Sequence, residues 1–209
     1  MSLYSTVAID RRSQDISAEF SLQAGESATF VLGGLRAEGE QLDMDLLRER
    51  FLETAQFWKT WVSKSNYKGR WGEMVLRSAL VLKLLTSRKH GSLIAAATFS
   101  LPESIGGVRN WDYRFTWLRD AAFTLHALIR LGFLDETEAF FDWVKGRLGE
   151  DAQRGPLQVM YGVDGRQRLD EISLDHLCGY ENSRPVRIGN AAYQQLQLDV
   201  YGEMMNSLY

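Results

Sequence analysis

Cysteine, histidine and long apolar runs are scarce in this chain of 209 residues. Its one cysteine, Cys178, rules out an internal disulfide and a thiolate metal cluster. The three histidines are scattered, which argues against a bound metal, and we expect neither a metal nor another cofactor. The longest apolar stretch, near residues 78–85, is interrupted by Lys83, so the sequence predicts no membrane-spanning helix.

No region of the chain is dominated by charges of one sign. The net charge is −3 with no block of like charges, which argues against nucleic acid or an anionic membrane as a partner. No charged segment followed by an apolar run precedes a small-residue cleavage site, so we expect no signal peptide and a cytoplasmic location. The length is enough to bury a core in one domain or slightly more.

The first part of the chain has the two-residue period of strands. Apolar and polar residues alternate over residues 16–22 and again over 28–32, with a turn predicted at 23–26. An earlier strand is predicted over residues 4–9. So few strands make a poor independent sheet, and they resemble the end of a larger β domain.

Helical spacing begins near residue 40. Apolar residues recur at steps of three and four over 47–62, which predicts a long helix, and a second helix is predicted over 71–85. A third is predicted over 117–131, ending at Gly132. Its apolar residues cover more than one face, so we expect it to be buried on most sides.

Further elements are predicted in the last third. A fourth helix is expected to open at Asp135, which has the spacing of a capping box with Glu138. A short hairpin is predicted from residues 157–161 and 167–171 around a tight turn. A last helix is predicted to start near Asn190 and to run to the end of the sequence.

The stretch from residue 108 to residue 122, VRNWDYRFTWLRDAA, has the most unusual composition. It places aromatic rings, three arginines and two aspartates at the start of a predicted helix. Rings beside charged hydrogen-bonding groups suit a ligand with apolar faces and hydroxyl edges, such as a sugar. The alternative is a buried Arg–Asp network that braces packed helices.

Several longer runs resemble glycoside hydrolase family 15, the glucoamylase-like enzymes. They are IAAATFSLPE at 94–103, GGVRNWDYR at 106–114, WLRDA at 117–121, GYENSRPVRIGNAA at 179–192 and QLDVYGE at 197–203. The resemblance implies a mainly α fold: the N-terminal half of an (α/α)6 toroid, preceded by the last strands of a β-sandwich. The resemblance divides the chain into an incomplete β-sandwich domain (1–36), a linker helix (37–66) and an incomplete barrel (67–209).

The resemblance also implies roles for particular side chains. In that family an aromatic-rich run before an Arg-Asp pair lines the subsite for the sugar at the non-reducing end. Arg119 and Asp120 would therefore hydrogen-bond the outer hydroxyls of that sugar. Tyr113 would lie near the ring oxygen, and Trp117 would form an apolar wall.

The aglycone side of the site is implied to have a rim formed by Arg184 and Arg187. Fungal members carry a tryptophan before the equivalent Arg-Pro, where this chain has Asn182 and Ser183. We therefore expect a small α-linked gluco-oligosaccharide or disaccharide as the substrate. A half-barrel exposes apolar helix faces, so we also expect a tendency to self-associate.

The implied reaction is exo-acting hydrolysis of an α-glycoside with inversion, which needs a carboxylic acid and a carboxylate base about 6.5–9.5 Å apart. The carboxylates in the matching runs, such as Glu103, Glu171 and Asp199, do not fall where the family keeps its two catalytic glutamates. We expect no catalytic residue in this chain, with both glutamates beyond Tyr209. The alternative is a non-catalytic carbohydrate-binding or regulatory barrel of the same fold.

Overall fold

The computed structural model of the chain describes residues 2–12, 15–33, 43–151 and 157–208. The chain divides into two units, Met1–Thr60 and Trp61–Tyr209. In the described residues, five α-helices and ten short strands form the regular structure, and the strands pair two by two. No helix in this part of the chain is long and apolar enough to cross a bilayer. The predicted domain boundary at residue 36 lies outside the described residues.

The first unit contains two separate antiparallel pairs. Strand β1 (Ser2–Ser5) is followed by β2 (Asp10–Arg12) and β3 (Asp15–Ser17), which pair with each other. Strand β4 (Phe30–Gly33) pairs with β1, with Leu3 opposite Leu32.

The predicted strands of this unit are therefore only partly confirmed. The turn at 23–26 is confirmed by the amide of Glu26, which donates to the carbonyl of Gln23 at 3.0 Å. The strand predicted over 16–22 is wrong beyond Ser17, and the one over 4–9 is wrong beyond Ser5. The alternation is real, but the described residues offer these segments no partner strand, and an unpaired extended segment forms no ladder.

The two long predicted helices are confirmed. Helix α1 (Met44–Ser63) begins where the carboxylate of Asp43 accepts hydrogen bonds from the amides of Asp45 (3.0 Å) and Leu46 (3.1 Å), which caps the helix N-terminus. Helix α2 (Gly72–Leu84) follows after a short loop.

Two features of the second unit bear on function, a β-hairpin and a strand that leads into a helix. Strands β5 (Phe99–Pro102) and β6 (Asn110–Asp112) make an antiparallel hairpin with a bulge between Phe99 and Leu101. Strand β7 (Thr116–Trp117) continues directly into helix α3 (Leu118–Arg130).

Helix α3 ends at the glycine that the sequence indicated. Gly132 has a φ of +91°, and its amide donates to the carbonyl of Ile129 at 3.0 Å. The amide of Phe133 donates to the carbonyl of Leu128 at 2.9 Å, which completes a Schellman motif. Leu128 and Phe133 are both buried, so this helix end is fixed by an apolar contact as well.

The prediction that α3 is buried on most sides is wrong. One face, which includes Leu118, Ala121, Leu125 and Leu128, is buried in the core. Phe123 on another face is 58% exposed. Apolar spacing cannot separate a face that packs within this chain from a face left at its surface.

Helix α4 (Asp135–Asp151) begins one residue earlier than a capping box with Asp135 as the N-cap would require. The carbonyl of Leu134 accepts from the amides of Thr137 (3.0 Å) and Glu138 (3.1 Å), so Leu134 occupies the N-cap position. The predicted capping box is therefore wrong. The Asp135 carboxylate instead accepts a hydrogen bond from Lys64 at 2.6 Å.

The predicted hairpin is wrong in its strand pairing. The tight turn is present, because the amide of Gly162 donates to the carbonyl of Arg166 at 2.8 Å. Three further strands have two residues each: β8 (Met160–Tyr161), β9 (Ile172–Ser173) and β10 (Arg187–Ile188). Strand β8 pairs with β7 and β9 pairs with β10, so the strands on either side of the turn do not pair with each other.

The last helix, α5 (Asp199–Leu208), starts nine residues after the predicted Asn190. The Asn190 side chain accepts from the amide of Ala192 at 3.0 Å and caps a 3₁₀ turn, Ala191–Gln194. Gln195 is extended, which ends that turn. The predicted start of the last helix is therefore wrong, because the helical segment after Asn190 is a single 3₁₀ turn.

The core lies around α3, which packs against α4 and α5. Trp117 and Leu118, at the start of α3, are both part of this core. The rings of Phe140, Trp143 and Tyr161 pack together in it, with centroids 5.7 Å apart in each successive pair. The beginning of α3 is therefore fixed in the core, while Arg119 and Asp120 in its first turn remain partly exposed.

Candidate functional site

A cleft of about 360 Å³ opens beside the start of α3. Its walls come from three stretches of sequence: the segment leading into α3, one residue before β9, and the segment between β10 and α5. The lining residues are Trp111, Tyr113, Trp117, Arg119, Asp120, Glu171, Asn190, Ala191, Ala192, Gln195 and Gln197.

The first turn of α3 presents the charged pair to this cleft. The backbone of Trp117 is extended (φ −78°, ψ 124°), so it occupies the N-cap position, and Arg119 and Asp120 follow in the first turn. The amide of Leu118 donates to the carbonyl of Val159 at 3.2 Å, which anchors the helix start. A carboxylate in the first turn is favoured by the helix dipole.

Arg119 is held from three sides. Its Nη1 donates to Oε1 of Gln197 at 2.9 Å and to Oδ2 of Asp199 at 3.0 Å, and its Nη2 lies 3.4 Å from Oδ2 of Asp120. The hydrogen bond that Arg119 donates to Asp199 is the main cause that raises the pKa of Arg119, against an opposing effect of burial. The same bond lowers the pKa of Asp199. The guanidinium therefore stays charged and fixed between α3 and α5.

The carboxylate of Asp120 is partly buried and partly accessible. Its Oδ2 is shielded from solvent and lies 3.4 Å from Nη2 of Arg119, whereas the side chain as a whole is 46% exposed. Asp120 lines the cleft, so the exposed part of its carboxylate is available to accept hydrogen bonds.

Aromatic rings form two walls of the cleft. The rings of Tyr113 and Trp117 are 5.7 Å apart and tilted by 44°. Trp117 is buried, whereas Tyr113 is partly exposed to the cleft. Burial, followed by the charges of Glu103 and Asp120, raises the pKa of the Tyr113 phenol, which therefore remains a hydrogen-bond donor.

The two arginines of the expected rim differ in position. Arg187 lies behind the wall: its Nε is 3.1 Å from Oε1 of Glu171, and its guanidinium lies 4.9 Å from the ring centroid of Trp111. Glu171 and Trp111 line the cleft themselves. Arg184 is exposed and is not among the lining residues.

The structure thus brings Tyr113, Trp117, Arg119 and Asp120 together at one cleft, places Arg187 one layer behind it and leaves Arg184 outside. The sequence argument missed the residues on the opposite wall. Those are Glu171, Asn190, Gln195 and Gln197. It also missed Asp199, which does not line the cleft but holds Arg119. A usable signal was present in residues 195–199, where two glutamines and an aspartate alternate with leucines that the structure leaves exposed.

Replacing Asp199 tests whether Arg119 needs its anchor. We expect Asp199→Asn to weaken binding of a sugar in the cleft roughly two- to five-fold, because a neutral acceptor makes a weaker hydrogen bond to the guanidinium. Pairing with Arg119 lowers the pKa of Asp199, so its carboxylate is ionised at neutral pH, where isothermal titration calorimetry measures the two affinities. An unchanged affinity in Asp199→Asn would show that Arg119 is held well enough by its other contacts.

Comparison with known proteins assigns the chain to a family. The model of glycosyl hydrolases family 15 matches residues 69–209, and the chain belongs to this family. A trehalase from Mycobacterium tuberculosis is 38% identical over 209 residues, which cover 99% of this chain and 31% of the relative. No solved structure matches the chain significantly.

Two further relatives are also named trehalases. A trehalase from Mycolicibacterium smegmatis is 46% identical over 163 residues, covering 77% of this chain and 24% of the relative. A trehalase from Thermoplasma volcanium is 43% identical over 160 residues, covering 77% of this chain and 25% of the relative. The chain therefore spans about a quarter to a third of the length of these curated relatives.

Proposed function

We propose that this chain is the sugar-binding part of an inverting, exo-acting α-glycosidase, and that its preferred ligand is the disaccharide α,α-trehalose. The observation that carries the proposal is the Arg119–Asp120 pair at the start of α3, in a cleft walled by Tyr113 and Trp117. The trehalase names of its relatives support the choice of disaccharide.

The chemistry of the cleft fits a terminal glucose ring. The Asp120 carboxylate can accept hydrogen bonds from two hydroxyls, and Arg119 can donate one from its exposed edge. The apolar face of a pyranose can pack on the rings of Tyr113 and Trp117, because those rings are held by the core and by each other. Hydroxyl recognition by fixed charges favours a sugar over an apolar ligand of the same size.

In this proposal the chain positions the sugar and does not hydrolyse it. An inverting glycosidase needs a protonated carboxylic acid and a separate base. The carboxylates that line the cleft, Asp120 and Glu171, each lie beside an arginine, at 3.4 Å and 3.1 Å. Such a carboxylate is suited to accepting hydroxyl hydrogen bonds. The proposed acid and base belong to sequence after Tyr209, in the second half of an (α/α)6 toroid whose first half is residues 67–209.

The direct test is calorimetric titration of the 209-residue chain with α,α-trehalose, maltose and sorbitol. We expect saturable binding of the disaccharides, tightest for trehalose, and none for the open-chain polyol sorbitol. Equal heats for all three solutes, or no binding of any sugar, would contradict the proposed function.

Activity of the chain alone provides a separate prediction. We expect no release of glucose from α,α-trehalose above the uncatalysed rate. Inversion needs a protonated acid and a separate base, and in the described part of the chain both carboxylates that line the cleft lie beside an arginine. A coupled glucose oxidase assay on the purified chain measures this. Glucose release that rises with the concentration of the chain would place the catalytic groups within these residues.

A further inference from the structure

Three polar side chains of the β5–β6 hairpin are almost completely buried. The residues are Ser100 at 4% exposure, and Asn110 and Asp112 at 0%. Burying polar groups is costly unless they form hydrogen bonds, so their partners indicate what they do.

Each of the three has a partner on one segment, residues 185–190. Asn110 also donates to the carbonyl of Gly107 at 3.1 Å, and Asp112 also accepts from the guanidinium of Arg114 at 2.8 Å. Ser100 Oγ accepts from the amide of Arg187 at 2.6 Å and donates to its carbonyl at 2.8 Å. Asn110 Nδ2 donates to the carbonyl of Pro185 at 3.2 Å. Asp112 Oδ2 accepts from the amide of Gly189 at 3.1 Å. We call Ser100, Asn110 and Asp112 the polar clamp.

The clamp acts at alternate residues 185, 187 and 189, which is the period of an extended segment. These bonds run from side chains to backbone, because β10 pairs through its own backbone with β9 and not with the hairpin. The main chain of Asp112 adds one more bond, since its carbonyl accepts from Nδ2 of Asn190 at 3.1 Å.

Two residues at this contact, Ser100 and Gly189, have a left-handed backbone conformation. Ser100 has a φ of +56°, a left-handed conformation that costs free energy in a residue other than glycine and that occurs here at the hairpin bulge. On the other side, Gly189 has a φ of +77°, and a Cβ there would collide with the carbonyl oxygen of Asp170. Segment 185–190 is thus confined between the clamp and the residues before β9.

This confinement reaches the cleft. Arg187 supports Trp111 and Glu171 from behind, and Asn190, Ala191 and Ala192 form the wall itself. We propose that Ser100, Asn110 and Asp112 are positioning residues for sugar binding, which set the wall opposite Arg119 and Asp120 without touching the ligand. The proposal rests on the proposed function of the cleft.

The experiment compares Ser100→Ala and Asp112→Asn with Glu136→Gln. Glu136 is a matched control, because it is also buried and hydrogen-bonded but belongs to α4 and does not line the cleft. Each variant is titrated with α,α-trehalose at a temperature where it is fully folded, and hydrogen exchange is measured at the amides of residues 187–190.

We expect the two clamp variants to lose about ten-fold in affinity and to exchange faster at the amides of Arg187 and Gly189. Glu136→Gln should unfold at lower denaturant concentration but keep its affinity within about two-fold and its exchange at 187–190 unchanged. Ser100→Ala changes no buried charge, so it tests the positioning role even if Asp112→Asn does not fold.

The outcomes separate the two proposals. A wild-type chain that binds trehalose, together with clamp variants that bind it equally well, overturns the positioning role alone. A wild-type chain that binds no sugar overturns the proposed function and the role of the clamp in binding. Reduced affinity in Glu136→Gln equal to that in Ser100→Ala would also overturn the positioning role, because general loss of stability would then explain both.

Discussion

Asp120→Asn is expected to reduce the affinity of the chain for α,α-trehalose by about ten- to a hundred-fold while changing its melting temperature little. A hydrogen bond to a charged group contributes about 1.5–3 kcal/mol, which corresponds to this range of affinity. The Asp120 side chain is 46% exposed and its contact with Arg119 is 3.4 Å long, so it contributes little to folding. Calorimetric titration and thermal unfolding of the same preparation measure the two effects.

Asp142→Asn is the matched control for this substitution. Asp142 is an exposed aspartate on α4 that pairs with Lys145 at 3.0 Å, so its replacement removes the same charge away from the cleft. We expect it to leave affinity unchanged. If Asp120→Asn instead lowered the melting temperature strongly and kept the affinity, the pair would be a brace between helices, the alternative that the residue types alone left open.

Lys83→Met is expected to lower the free energy of unfolding by about 3 kcal/mol near neutral pH. Lys83 on α2 donates to Oε1 of Glu136 on α4 at 2.6 Å, and the Glu136 side chain is only 3% exposed. The indole of Trp61 donates to the same oxygen at 2.8 Å. Removing the lysine leaves a buried carboxylate without its cation. Urea unfolding monitored by circular dichroism measures the loss.

The pH dependence of Lys83→Met should also differ from that of the wild type. Burial pushes the pKa of Glu136 up, but the hydrogen bonds from Lys83 and Trp61 outweigh burial and lower it. Wild-type stability from this group is therefore present above the unfolded-state pKa and lost as pH falls through the lowered one. In Lys83→Met burial dominates and the pKa rises, so the deficit should shrink as pH falls.

Lys145→Met controls for the loss of a lysine. Its partner Asp142 is exposed, and such a pair contributes at most about 1 kcal/mol. We expect no more than a small change in stability and no new pH dependence. A deficit in Lys83→Met no larger than that in Lys145→Met would show that Glu136 finds enough water or other donors when its lysine is removed.

Local signals in the sequence predicted the helices well. Helices α1, α2 and α3 follow from apolar residues at steps of three and four, and α3 stops at Gly132 because the Schellman motif needs a left-handed residue there. Strand partners and helix starts were predicted less well, because they depend on distant residues. The tight turn before Arg166 is local, but β8 pairs with β7, more than forty residues earlier.

The residues of the candidate site were also predicted only in part. Tyr113, Trp117, Arg119 and Asp120 are close in sequence, so one motif indicates them together. Glu171 and Gln197 reach the cleft only through the fold, and no single sequence shows that. The polar clamp is hidden still further, because nothing in the local pattern distinguishes a serine that holds a distant backbone from one that faces water.

Exposed apolar side chains on and beside α2 and α3 have a practical consequence for every measurement above. Trp71, Met74, Val81, Leu84 and Phe123 all leave about half or more of their surface in contact with water. Exposed apolar surface promotes association in solution. Melting temperatures and titration heats should therefore be collected over a range of dilutions and extrapolated to the monomer, so that changes at the cleft are not confused with changes in aggregation.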